Sequence, residues 1–95
     1  MPLYASAVEV TNRDVQNAQE LASIWGEIRA ELESHDAELI DSYAVMGGYD
    51  FLVIFEAPDT EAAFTAAVTL HRHGLDAETM GLLDTDQFAN IVDEI

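Results

Sequence analysis

Tyr43, Tyr49, Asp50 and Thr79 are the side chains best placed to meet a ligand. Tyr49 and Asp50 open a strand beside a glycine pair, where they could present a hydroxyl and a carboxylate. In the alternative, Asp50 binds backbone N–H groups at the hairpin while Tyr49 packs. Asp41 and Tyr43 are two apart and so share one face of a strand. Glu56 ends the next strand on the face of Asp50. A carboxylate in an apolar cavity has a raised pKa and can act as a general acid or base. Strand ends are often wet, however, and no carboxylate stands out as catalytic. Thr79 sits mid-strand, where its hydroxyl could reach a cavity, although threonine is also a good strand former. His71 and His73 diverge by about 200° on a helix, so they do not make the i, i+4 clamp used for metals. With Arg72 they suit a helix C-terminus. His35 reads as a solvated residue at a helix end. There is no Gly-rich phosphate loop and no Ser-His-Asp grouping, so neither cofactor nor metal is implied. Met46, Met80 and Trp25 read as core residues.

The elements that must position these groups follow from periodicity. Leu3 to Val10 is short and rich in Ala and Val, which predicts a strand. Thr11-Asn12-Arg13-Asp14 is turn-like, and Thr11, Asn12 or Asp14 can cap a helix. From Val15 to Glu33, the residues Ala18, Leu21, Trp25, Ile28 and Leu32 form one apolar stripe. Gly26 interrupts that helix and suggests close packing. Ala37 to Met46 and Tyr49 to Ala57 read as strands joined by a tight two-residue Gly47-Gly48 turn, hence antiparallel neighbours. Asp59 after Pro58 caps a second helix carrying Ala63, Phe64, Ala67, Val68 and Leu70, and Gly74 ends it in the left-handed conformation. Leu75 to Leu83 is a fourth strand. Phe88, Ile91, Val92 and Ile95 form a short amphipathic helix with Thr85 as a candidate cap. The order βαββαβ plus a terminal helix predicts an α+β, ferredoxin-like fold with a four-stranded antiparallel sheet and both crossover helices on one face.

In the third strand, Tyr49, Phe51, Val53 and Phe55 point one way, and Leu52 and Ile54 the other. Two helices can cover only one face. The second needs the terminal helix, another subunit, or both, because large exposed apolar patches are rare on soluble monomers. A symmetric homodimer with sheets face to face, closing a barrel-like core, is the expected solution.

Composition bounds the rest. The 95 residues, 49% hydrophobic, are expected to form a single domain spanning 1–95. There is no cysteine, which excludes disulfides, thiolate zinc sites and thiol catalysis. No apolar run approaches the ~18 residues needed to cross a bilayer, and no signal segment is visible, so no membrane is expected and the location is expected to be cytoplasmic. The 19 Asp and Glu stand against three Arg and no Lys, a net charge of −16. That excludes a nucleic-acid binder driven by phosphate neutralisation. On a sphere of roughly 16 Å radius, sixteen like charges repel by roughly 33 kcal/mol in unscreened water. Screening cuts this to roughly 11 at ~0.15 M salt and roughly 5 at ~1 M. Acidic residues throughout the chain, with no lysine, point to a halophilic protein of a salt-accumulating cytoplasm.

From Met46 the sequence resembles the GYD-domain family of small proteins. The resemblance rests on Gly47-Gly48-Tyr49-Asp50 leading into Phe51-Leu52-Val53-Ile54-Phe55 and Glu56-Ala57-Pro58-Asp59. It continues through an alanine-rich helix to Gly74 and into Glu78-Thr79-Met80. The first forty residues are similar in element order, with Thr11-Asn12-Arg13-Asp14 similar to the family's polar loop. Membership implies a ferredoxin-like, dimeric α+β-barrel fold and no particular activity. The hairpin and the late threonine also resemble the effector-binding domain of the Lrp/AsnC regulators, although no helix-turn-helix precedes Met1.

Three functions remain open. The favoured one is a homodimeric small-ligand-binding module with Tyr43, Tyr49, Asp50 and Thr79 as ligand contacts. The second is a cofactor-independent enzyme, such as the monooxygenases and isomerases among dimeric α+β barrels, with the same residues as its polar cluster. The third is an assembly protein without a pocket. Expected partners are a second copy, or more, and a small molecule.

Overall fold

Strand β1 (Leu3–Val10), helix α1 (Ala18–Ser34), strands β2 (Glu38–Ala44) and β3 (Phe51–Glu56), helix α2 (Thr60–Arg72), strand β4 (Leu75–Leu82) and helix α3 (Thr85–Glu94) follow one another in a computed structural model that describes residues 1–10 and 18–95. The expected caps Thr11, Asn12 and Asp14, and the expected helix start at Val15, lie outside the described residues. The strands form one antiparallel sheet in the order β2-β3-β1-β4. This is the ferredoxin-like α+β architecture that the element order predicts.

Strand alternation decides which side chains meet the helices. Val8, Leu39, Val53, Phe55 and Leu75 turn inward against Ile28 and Leu32 of α1 and Ala63, Ala66 and Leu70 of α2. Tyr4 stacks on Phe55 at 5.4 Å, and Trp25 meets Phe51 edge-on at 5.2 Å. The other side of the sheet carries Ala5, Ala7, Leu52, Ile54, Met80 and Leu82, and the two crossover helices leave it uncovered. One β-bulge interrupts the β2–β3 ladder: Leu39 pairs with Phe55 but Asp41 pairs with Ile54. The extra residue, Ile40, shifts the alternation, so Leu39 faces the helices while Asp41 and Tyr43 face the open side.

Local chemistry ends the helices. After α1, Asp36 takes a left-handed conformation (φ 67°) and Ala37 N–H donates to the Leu32 carbonyl at 2.9 Å. Asp59 caps α2, its carboxylate accepting from Ala62 N–H at 2.8 Å, and Gly74 follows the helix at φ 80°. At the far end of α2, His73 Nε2 stands 3.1 Å from Glu31 Oε1, which ties the two crossover helices together.

Several expectations need correction. The β2–β3 connection is longer than a two-residue turn: Val45 N–H donates to the Asp50 carbonyl at 2.9 Å, leaving residues 46–49 as the loop. Tyr49 therefore precedes the ladder and does not share the face of Phe51. Gly26 marks no close packing, since among the described residues an added Cβ there meets nothing within 4 Å. Asp84, not Thr85, caps α3, accepting from Gln87 N–H at 2.8 Å. Met46 is fully exposed and Met80 is on the open side, so neither is core. On α2, Phe64 and Val68 point outward because Ala63, Ala66, Thr69 and Leu70 form the buried stripe.

Candidate functional site

A concavity lies between the first half of α2 and the helix side of β1 and β4. It is an open cleft of about 180 Å³. Its origin is a set of missing side chains. Ala63 and Ala67, four apart on α2, leave a shallow stripe, and Gly81 of β4 offers no side chain opposite Tyr4. The Tyr4 ring stands 3.9 Å from where a Cβ on Gly81 would be. Tyr4 and Phe64 give the cleft aromatic walls, and the hydroxyl-bearing residues Thr60 and Thr79 also line it. Beside it, the Thr79 hydroxyl shares a 2.7 Å hydrogen bond with that of Ser6, which is fully buried. Satisfying Ser6 in this way removes the cost of burying its hydroxyl. Among the described residues, no charged side chain lines the cleft.

Of the four residues singled out from the sequence, only Thr79 reaches this cleft. Tyr43 is exposed on the open side of the sheet, opposite Leu52. The Tyr49 hydroxyl donates to Glu78 Oε2 at 2.6 Å. Glu78 alternates with Ala77 and Thr79, which face the helices, so the Tyr49–Glu78 pair also lies on the open side. That bond, reinforced by the Glu78 charge, raises the Tyr49 pKa above its ordinary value. Asp50 fastens the hairpin to β1. Its carboxylate accepts from Val10 N–H at 2.8 Å, and its own N–H donates to the Val8 carbonyl at 2.8 Å. Thr79 is thus separated from the two tyrosines by the thickness of the sheet. Among the described residues, no cluster of three or more His, Cys, Asp or Glu is arranged to hold a metal ion, and no helix is long and apolar enough to cross a membrane.

Tyr4, Thr60 and Phe64 escaped the sequence reading. A signal for Tyr4 was present, since it alternates with Ser6 and Val8 and must share their face. Thr60 and Phe64 carry no such mark. They matter only because α2 lies over Gly81 and Thr79.

A family model for the GYD domain matches residues 4–92. The chain belongs to the GYD-domain family. No curated protein matches it. In this GYD domain the Gly48-Tyr49-Asp50 triplet binds three strands at one end of the sheet: Asp50 holds β1 and the end of β2, while Tyr49 reaches β4.

Proposed function

We propose that this GYD domain is a homodimeric small-ligand-binding module working in concentrated salt, with its ligand held in the cleft between α2 and β4. The single observation that carries the reading is the lining of that cleft: among the described residues, aromatic and alanine walls, hydroxyl-bearing side chains, and no ionisable acid or base apart from a tyrosine. Such a lining binds and orients. It lacks the carboxylate or imidazole that proton-transfer catalysis usually employs, and this favours binding over turnover. Size and charge narrow the ligand. A dry cavity of about 150 Å³ accepts benzene, so about 180 Å³ suits one ring with a small substituent. A net charge of −16 disfavours an anion. The ligand is a neutral one-ring molecule with a hydroxyl or carbonyl to meet Thr79 or Thr60.

The dimer half of the proposal rests on Leu52, Ile54, Met80 and Leu82 on the uncovered side of the sheet. Two such faces brought together would bury that surface.

Amide chemical shifts in molar KCl, with phenol and benzoate as probes, test the site. Phenol is expected to move Ala63, Ala67, Thr79 and Gly81, benzoate much less, and Ala67→Leu is expected to abolish the effect. Phenol shifts scattered over the surface, or unchanged in Ala67→Leu, would overturn the assignment.

A further inference from the structure

Helix α3 is amphipathic, and its apolar side is unpaired. Phe88, Ile91, Val92 and Ile95 recur at steps of three and four and so make one stripe. Their exposure runs from 47% to 96%, and no residue of α3 is buried. At ten residues, α3 is shorter than the about 12–15 that even alanine-rich helices need to persist in water. Yet the chain has equipped it as a helix, with the Asp84 cap and Asp86 in its first turn. Packing has to supply the missing stability, and its own chain does not provide it. The helix also follows in sequence directly on the strand that carries part of the uncovered sheet face. Met80 and Leu82 on that face lead through exposed Leu83 straight into α3.

We infer that α3 is a reciprocal arm that packs on a second copy of this chain and completes the dimer interface. The inference rests on the face-to-face dimer proposed above. Area singles out a second copy as the occupant. Four strands about 4.8 Å apart and about 23 Å long give a sheet footprint of about 440 Å². A stable interface buries about 800 Å² on each partner, nearly twice that flat footprint, so added contact area beside the sheet favours a stable pair. A ten-residue helix is about 15 Å long and about 10 Å wide, a footprint of about 150 Å². In a twofold dimer each copy buries its own arm and the surface under its partner's arm. Each partner therefore gains about 300 Å² and reaches roughly the required area. A one-sided docking partner would gain only half of that addition. The stripe itself carries no charge, so the acidic residues Asp86, Asp93 and Glu94 can stay on the wet side of α3.

Sedimentation in molar KCl separates the possibilities. The parent chain is expected to be dimeric. A chain ending at Asp84, and the full-length Ile91→Asp variant, are expected to dissociate at concentrations at least roughly a hundredfold higher than the parent. A dimeric parent whose two variants dimerise equally well would overturn the arm while leaving the dimer intact. A parent monomeric at every concentration would overturn the dimer, and the arm with it. A second measurement does not depend on how the variants fold. The chain has no native cysteine, so a spin label on Ile91→Cys reports on α3 alone. It is expected to be immobile in the dimer and mobile on dilution. A label equally mobile in both states would reject the arm.

Discussion

At the residue scale, the Gly-Tyr-Asp triplet divides its work between two sides of the sheet. Asp50 satisfies Val10 N–H where β1 ends. The sequence allowed this backbone role, because a carboxylate at a strand start has N–H groups within reach. It did not reveal that Tyr49 spans to Glu78, 29 positions away. The Tyr49–Glu78 contact has a pH signature. The hydrogen bond to Glu78 is the main cause of the raised Tyr49 pKa, followed by the Glu78 charge, burial, Glu9 and Asp76. A proton held more tightly in the folded state stabilises the fold below the unfolded tyrosine value of about 10. That stabilisation is lost as pH rises through the higher folded value. Ultraviolet titration is expected to show Tyr49 ionising above the ordinary tyrosine value, and Glu78→Gln is expected to bring that ionisation down. An unchanged titration in Glu78→Gln would contradict the contact.

Among the elements, α1 and β2 show where local pattern suffices and where it fails. In α1 the stripe running through Trp25, Ile28 and Leu32 is legible because a helix's period is fixed by its own hydrogen bonds. Ile28 and Leu32 are buried as that stripe requires. Gly26 lies off it, exposed, with open space where a Cβ would stand. Gly26→Ala is therefore expected to raise stability by about 0.5–1 kcal/mol, through higher helix propensity and lower unfolded-state entropy. Urea denaturation measures this, and a loss of stability would contradict the open space beside Gly26. In β2, two-residue alternation places Leu39, Asp41 and Tyr43 on one face. The bulge at Ile40 sends Asp41 and Tyr43 to the other. Nothing in β2 alone announces that extra residue, because a bulge is a mismatch between two strands.

For the whole molecule, charge and shape act together. The radius of gyration is 14.5 Å and the extents are 50 × 31 × 16 Å, whereas a compact chain of this length has a radius of gyration of about 12 Å. The elongated shape spreads the acidic charge, so the spherical repulsion is an upper bound. Raising KCl from ~0.15 M to ~1 M is expected to stabilise the fold by up to roughly 5 kcal/mol. Part of this would come as a steeper dependence on protein concentration, because screening also favours association of two acidic copies. Urea titrations across salt and protein concentration measure both effects. A stability indifferent to salt would contradict the halophilic reading.

Local pattern along the chain specifies the order and kind of the elements, the antiparallel sheet, the Asp59 cap, the left-handed Gly74 and the apolar stripe of α3. Each of these depends on residues a few positions apart, whose backbone geometry is fixed locally. Only the tertiary structure decided that Tyr43 and Tyr49 lie on the far side of the sheet from Thr79, that Gly81 and two alanines leave a cleft, and that α3 stands away from its own chain. These depend on register and empty volume between segments such as Ser6 and Thr79, which meet across 73 positions of chain. A void is made by side chains that are absent, and no periodicity within one segment records what another segment fails to fill.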